Sequence, residues 1–262
     1  MNRKSLVSVS FGILAILMSR PAWSQGTGTL REFTTRPGVS VKSLVASPAK
    51  PIGQVILLPG GLGDIGLDGA GKITAPQMAD NFTVRTRDMY VAGGFSTILL
   101  DTALDIRNLA YSRESIQQNA ADIRAVAAAL KKESDLPLWL VGTSLSSWRL
   151  ALLTPRLQSE VGIAGVVLTA TVTATPELLH SRVAQISVPV MVVHHRDDAC
   201  QYSKADTLQP LIDAIKTPVK KVVWIEGGNS KGDPCHEWAY HGFNGKETEA
   251  VGAIIGWMKQ PG

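Results

Sequence analysis

A serine lies in a turn of small residues directly after one of the most apolar segments of the sequence. Residues 138–141 are typical of a buried strand, and Gly-Thr-Ser-Leu-Ser follows, with Ser144 at its centre. A sharp strand-to-helix turn holds a hydroxyl above a sheet only if the positions two before and two after it are small, because neighbouring backbone crowds them. Ser144 is therefore a candidate nucleophile. The alternative is that Thr143 or Ser144 only caps the following helix.

Two adjacent carboxylates, Asp197 and Asp198, follow the apolar segment 188–193. A histidine that acts as a general base needs a carboxylate to orient its ring and to stabilise the imidazolium that forms during the reaction. Both aspartates are placed for that role by their position after a predicted strand. The alternative is that both are solvated turn residues that pair with Arg196.

Two candidate bases, His236 and His241, lie in a glycine-rich segment between the last predicted strand and the last predicted helix. Histidine is the side chain that most readily accepts and returns a proton near neutral pH. We favour His241, because Gly242 lets the backbone turn and the final helix begins close by. His236, next to Cys235, is the other candidate. The alternative for both is a surface histidine or one bonded to a loop carbonyl.

Strand-length apolar runs alternate with helix-like segments, and this alternation must position the candidate residues. The predicted strands are residues 39–45, 54–58, 96–100, 138–141, 164–168, 188–193 and 221–225. The predicted helices are residues 77–92, 115–132, 148–157, 204–215 and 248–258. This pattern predicts an α/β fold with a mostly parallel sheet and helices on both faces. Ligands of such sheets bind at the carboxyl ends of the strands, where all the candidates lie.

The order nucleophile, acid, histidine along the chain resembles that of the α/β-hydrolase superfamily and differs from the chymotrypsin and subtilisin orders. Residues 142–146 resemble its G-x-S-x-G nucleophile elbow, except that Ser146 stands where glycine is usual. The resemblance covers about residues 38–260. It implies a single-domain α/β-hydrolase fold without a large cap domain, in which residues 169–185 form at most a short flap.

The resemblance also assigns roles at the site. It favours Asp198 over Asp197, because the family's acid lies in a turn shaped like Gly-x-x-Asp and His195 takes the glycine position. It implies an oxyanion hole formed by the backbone N–H groups of Leu145 and of either Gly61 or Leu62. The triad would then be Ser144, Asp198 and His241.

The implied reaction is hydrolysis of a carboxylic ester, or of a related thioester, lactone or amide, through an acyl-enzyme. The expected substrate is a small molecule or acyl ester, and the resemblance implies no metal or organic cofactor. A non-catalytic binding protein that retains the fold is an alternative.

The glycine-rich loop after residues 54–58 offers another alternative, a nucleotide-dependent oxidoreductase. Residues 61–66 match G-x-G-x-x-G, and residues 66–72 match a phosphate loop up to its lysine, but Ile73 stands where Ser or Thr is required. Neither string leads directly into a predicted helix. We therefore do not favour nucleotide binding.

Two cysteines flank the candidate acid and base. Cys200 lies two residues after Asp198, and Cys235 lies six residues before His241. Exported proteins meet an oxidising compartment, so we predict a Cys200–Cys235 disulfide that ties the two loops together. A metal site formed by these cysteines and the nearby histidines is not favoured, because no zinc-ligand spacing fits.

Residues 1–24 are predicted to be a cleaved signal peptide. They combine a basic start, 13 uncharged residues at 6–18 and a small-residue cleavage site at Ser24. A membrane anchor is not favoured, since a span needs about 20 apolar residues. We expect an exported protein, periplasmic or secreted, with no stable membrane anchor after cleavage. Residues 25–37 are predicted to be loosely ordered, and residues 38–262 to form the catalytic domain.

Composition limits the remaining possibilities. Apolar residues make up 45% of the 262 residues, which is enough for a sizeable core and argues against a disordered chain. Residues 25–262 carry 23 basic and 22 acidic side chains, a net charge of +1, so a nucleic-acid partner is not expected. The sequence makes no prediction about oligomeric state.

Overall fold

A computed structural model of the chain describes residues 28–107 and 112–261. The predicted signal peptide, residues 1–24, lies outside the described residues. No helix within the described ranges has the length and apolar character that crossing a bilayer requires.

The strands of the described residues form a single sheet in the order β1-β2-β4-β3-β5-β6-β7-β8. The pairs β1–β2 and β2–β4 are antiparallel, and all other pairs are parallel. The strands are β1 (Thr29–Arg36), β2 (Val39–Ala46), β3 (Gly53–Leu58), β4 (Phe95–Leu100), β5 (Leu138–Thr143), β6 (Gly165–Thr169), β7 (Val190–His195) and β8 (Lys220–Ile225).

The helices cover both faces of the sheet. They are α1 (Pro76–Ala79), α2 (Phe82–Arg85), α3 (Arg87–Ala92), α4 (Arg113–Glu133), α5 (Leu145–Glu160), α6 (Pro176–Val183), α7 (Gln209–Ala214) and α8 (Glu247–Lys259). Short 3₁₀ turns lie at Leu104–Ile106, Ala205–Thr207 and Tyr240–Gly242.

Two core layers sandwich the sheet, and the alternation of side chains along each strand divides residues between them. In β3, Ile56 and Leu58 pack with α4, α5, α6 and α7, whereas Val55 and Leu57 pack with α2, α3 and α8. Every residue of the five strands β3 to β7 is buried. These strands are the near-continuous apolar runs from which the sequence predicts a parallel sheet.

The prediction that residues 25–37 are loosely ordered is wrong for residues 29–36. They form β1, which pairs with β2 along the edge of the sheet. Phe33 is buried in the core, and Arg31 pairs with Glu133 of α4. Arg36 pairs with Asp105 and Asp122. An edge strand with one buried face has too few apolar residues to stand out by composition, so this segment looks like a polar lead-in.

The predicted helix 77–92 is divided into α1, α2 and α3. Asn81 breaks it with an extended backbone (φ −57°, ψ 141°), and Thr86 lies between the next two helices with φ −100° and ψ 0°. The Thr86 hydroxyl donates to the carbonyl of Phe82, a local bond that competes with regular helix. The break matters for the site, because Asn81 and Phe82 both reach the pocket described below.

Residues 169–185 form no cap over the sheet. The one helix in this segment is α6, which packs against α5 and α7 through Leu179 and Val183. None of residues 169–185 lines the pocket described below.

Candidate active site

The backbone of Ser144 has a conformation that residues other than glycine rarely adopt. It joins β5 to α5 with φ 55° and ψ −123°. Such backbone strain persists only where the surrounding structure enforces it, and it concentrates at functional sites. The side chain makes no capping hydrogen bond to α5, which contradicts the alternative that Ser144 is only a helix cap.

Two neighbours make the sharp turn possible. A Cβ atom added to Gly142 would lie 2.9 Å from the carbonyl oxygen of Ser146, so no side chain fits there without a shift of the backbone. Ser146, at the position where glycine is usual, is accommodated because its hydroxyl donates to the carbonyl of Pro59. That bond ties the turn after β5 to the loop after β3.

His241 and Asp198 are hydrogen-bonded to each other. Nδ1 of His241 lies 2.9 Å from Oδ2 of Asp198, and both side chains are buried. The N–H of Cys200 donates to the other carboxylate oxygen at 2.9 Å. Burial opposes ionisation of Asp198, but the hydrogen bonds that its carboxylate accepts from His241 and from the Cys200 N–H hold its pKa below the usual value.

The other candidates of each pair lie at the surface. Asp197 is exposed, and its N–H donates to Nδ1 of His195, two residues earlier in the chain. His236 is exposed as well. The structure thus brings Asp198 and His241 together and leaves Asp197 and His236 apart from them.

Ser144 and His241 line one open pocket of about 170 Å³ at the carboxyl edge of the sheet. Gly60 and Gly61 form one wall of the pocket beside the serine. The remaining lining combines apolar, polar and acidic side chains: Met78, Asn81, Phe82, Thr143, Cys235 and Glu237.

The glycines of the loop after β3 allow it to approach Ser144 closely. A Cβ atom on Gly60 would lie 3.3 Å from Cβ of Ser144 and 3.1 Å from Nδ2 of Asn81. Gly61 has φ +60° and lines the Ser144 pocket. Leu145 is the first residue of α5, where backbone N–H groups lack acceptors within the helix. Leu62 and Leu145 line a separate cavity of about 20 Å³ beside the pocket.

No protein-family model matches the chain, and no curated protein matches its sequence. Solved structures do match. Est1E from Butyrivibrio proteoclasticus superposes with a TM-score of 0.64 at 12% identity, over 89% of this chain and 98% of that one. A dienelactone hydrolase from Anabaena variabilis gives 0.63 at 14% identity, over 91% and 97%. A serine hydrolase without a lid from Xanthomonas campestris gives 0.58 at 12% identity, over 87% and 94%.

The chain has the α/β-hydrolase fold. The predicted fold class is therefore confirmed: a mostly parallel sheet with helices on both faces and no large cap domain in the described residues.

Within this α/β-hydrolase fold, side chains distant in sequence hold the glycine loop beside Ser144. Arg149 of α5 donates to the carbonyl of Gly61, and its other guanidinium nitrogen lies 3.2 Å from Oδ1 of Asn119. Asn81 accepts the Gly60 N–H at 3.3 Å. Neither Arg149 nor Asn81 belongs to a recognisable motif, so sequence reasoning missed both.

Asp101, directly after β4, holds the segment that follows the glycine loop. Its buried carboxylate accepts the N–H groups of Ile65 at 2.9 Å and Leu67 at 2.8 Å, and it pairs with Arg107. Asp101 therefore organises a turn and does not line the Ser144 pocket. Its place at a strand end is the one sequence signal that points to it.

The predicted disulfide between Cys200 and Cys235 is present. It joins the loop that carries Asp198 to the loop that carries His241, and Cys235 itself lines the pocket.

His195 makes a second link to the segment after β8. Its Nε2 is hydrogen-bonded to the carbonyl of Gly227 at 2.7 Å, and its ring stacks on that of Tyr240. Among the described residues, no group of three or more histidine, cysteine or acidic side chains is arranged to hold a metal ion.

The glycine strings after β3 do not form a nucleotide site of the usual kind. Residues 61–75 run as loop and turns, with an isolated bridge between Leu67 and Ile73, and the next helix begins only at Pro76. A dinucleotide fingerprint requires that its glycines open a helix directly, because the helix N-terminus binds the pyrophosphate.

Proposed function

We propose that the protein is a serine hydrolase that cleaves a carboxylic ester, or a related thioester, lactone or amide. The observation that carries the proposal is the shared pocket of Ser144 and His241, with the histidine ring held from behind by the buried Asp198. This is the arrangement that makes a serine hydroxyl nucleophilic.

The first half of the reaction forms an acyl-enzyme. An ionised Asp198 only accepts hydrogen bonds, so Nδ1 of His241 carries a hydrogen and Nε2 is free to act as a base. Nε2 takes the Ser144 proton as Oγ attacks the acyl carbonyl. The N–H groups of Leu145 and Gly61 are the proposed donors to the resulting oxyanion. Collapse of the tetrahedral intermediate breaks the bond to the leaving group, which takes its proton from Nε2.

The second half releases the acid. Water attacks the Ser144 ester, gives one proton to Nε2 of His241, and forms a second tetrahedral intermediate. Its collapse breaks the bond to Oγ, which recovers the proton, and frees the carboxylic acid.

The pocket supports a small substrate. A volume of about 170 Å³ with Met78 and Phe82 in its lining suits a short acyl or alkoxy group. The likeness to Est1E and to a dienelactone hydrolase concerns the fold, and it agrees with ester or lactone cleavage as the reaction class. We therefore expect hydrolysis of short p-nitrophenyl esters, with acetate or butyrate preferred over octanoate. A folded wild-type protein that hydrolyses none of them faster than buffer would contradict the proposal.

We also propose that residues 1–24 are cleaved and that the protein is exported, to the periplasm or the medium. The Cys200–Cys235 bond supports this, because disulfides persist in oxidising compartments. N-terminal sequencing of the protein from cell fractions tests the proposal. A cytosolic protein that keeps Met1 would contradict it.

A further inference from the structure

The Ser203 hydroxyl lies beside the hydrogen bond that joins Asp198, the proposed acid, to His241, the proposed base. Its hydroxyl oxygen lies 3.0 Å from Oδ2 of Asp198 and 2.9 Å from Nδ1 of His241. Those two atoms are themselves 2.9 Å apart, so the three form a nearly equilateral triangle. Ser203 is fully buried, and solvent does not compete for its hydroxyl.

The chemistry of the three groups determines where the hydrogens lie. Oδ2 of an ionised carboxylate only accepts, so it takes both the Ser203 O–H and the His241 Nδ1–H. The reverse arrangement, with Ser203 donating to a bare Nδ1, would deprive a buried carboxylate oxygen of both donors. It would also move the ring hydrogen to Nε2, the nitrogen that must accept the Ser144 proton.

The backbone of Ser203 is fixed from two sides. Its N–H donates to the carbonyl of Cys200 at 3.0 Å, and its own carbonyl lies 2.8 Å from Nε2 of His194. A carbonyl only accepts, so this nitrogen carries a hydrogen. Burial lowers the pKa of His194 to about 4 against the opposing charge of Asp198, so its ring is neutral at neutral pH. The same nitrogen lies 3.4 Å from Oδ2 of Asp198.

We infer that Ser203 is a positioning residue of the catalytic machinery: its hydroxyl shares Oδ2 of Asp198 with Nδ1 of His241 and so weakens the carboxylate's hold on the imidazolium. The inference rests on the proposed function. A carboxylate oxygen that already accepts a strong hydrogen bond has less negative charge to offer the protonated ring. Ser203 therefore helps His241 to return its proton to the leaving group.

Substitution of Ser203 removes none of the charged and titratable groups around His241. They come from α2, from β7 and the loop after it, and from the histidine loop itself: Arg85, His194, His195, Asp198 and Glu237. A change in pH dependence on substitution of Ser203 is then attributable to its hydroxyl.

The test is the rate of labelling by a fluorophosphonate as a function of pH, for wild type and Ser203→Ala. Without the hydroxyl, Asp198 holds the imidazolium more strongly, so the acidic limb of the profile moves to higher pH by about 0.5–1 unit. We expect the plateau rate to fall by less than about tenfold. Ser147→Ala is the matched control, because Ser147 is also fully buried and, among the described residues, its hydroxyl is hydrogen-bonded only to that of Thr171, at 2.7 Å.

The direction of the pH shift distinguishes competition for Oδ2 of Asp198 from a merely structural role of Ser203. A merely structural role would let Asp198 move away and would shift the limb to lower pH, so a downward shift or an unchanged profile in folded Ser203→Ala overturns the inference. If that variant does not fold, Ser203→Cys keeps the volume with a weaker donor and must give a smaller shift in the same direction. Wild type that is not labelled at all contradicts the proposed function instead.

Discussion

The serine side of the pocket and its histidine side are held by different forces. Ser144 is positioned by local backbone geometry, since Gly142 and Ser146 lie within two residues of it. His241 is positioned by contacts between distant segments: the bond to Asp198, the bond to Ser203, and a disulfide whose cysteines are 35 residues apart. The serine side should therefore respond to steric changes nearby, and the histidine side to changes in long-range links.

Among the three sets of substitutions, removal of the Asp198 charge on the histidine side of the pocket should reduce activity the most. Asp198→Asn keeps the size of the side chain but offers Nδ1 an amide, which favours the wrong ring tautomer. We expect kcat on a short p-nitrophenyl ester to fall by about 10³–10⁴-fold. Asp197→Asn is the matched control, because that neighbouring side chain is exposed, and it should keep nearly full activity. Comparable losses in both variants would contradict the assignment of the acid.

Loss of the Cys200–Cys235 disulfide should have the next largest effect, because this bond joins the loops that carry Asp198 and His241. Closing a loop of 35 residues stabilises a protein by about 3–4 kcal/mol in the chain-entropy model. The double variant Cys200→Ser, Cys235→Ser should lose about that much free energy of unfolding in urea, and its activity should fall as well. Full activity after verified loss of the bond, in protein that is still folded, would show that the disulfide does not position the two loops.

A methyl group added at Gly142, on the serine side of the pocket, should have the smallest effect of the three changes. Gly142→Ala places a Cβ atom 2.9 Å from the carbonyl of Ser146, which forces the elbow to shift. We expect a loss of about 1–3 kcal/mol in the free energy of unfolding, with reduced activity at unchanged KM. Gly252→Ala, in α8 with open space around it, is the control. An active, equally stable Gly142→Ala would contradict the steric account of the elbow.

The same contrast explains how much of the site the sequence could predict. Ser144 is predictable because its small neighbours lie within five residues of chain, directly after a buried strand. Asp198 and His241 are predictable only by adding the order of residues in a known superfamily, since two aspartates and two histidines compete on local grounds. Ser203 and Arg149 could not be predicted, because their partners meet them only after the chain has folded.

The fold shows the same division. The central strands β3 to β7 are predicted to within two residues at each end, because burial on both faces makes them continuously apolar. β1 is not predictable in this way, because at the edge of the sheet Phe33 is its only buried residue. The break at Asn81 is not predictable either, because its side chain accepts the N–H of Gly60, which lies 21 residues away in the glycine loop.

The most direct test is labelling of residues 25–262 with a fluorophosphonate, beside the variants Ser144→Ala and Ser147→Ala. We expect one adduct, located on Ser144 by peptide mass spectrometry, that disappears in Ser144→Ala and persists in Ser147→Ala. Wild type that is folded but unlabelled, or an adduct that persists in Ser144→Ala, would contradict the claim that Ser144 is an activated nucleophile.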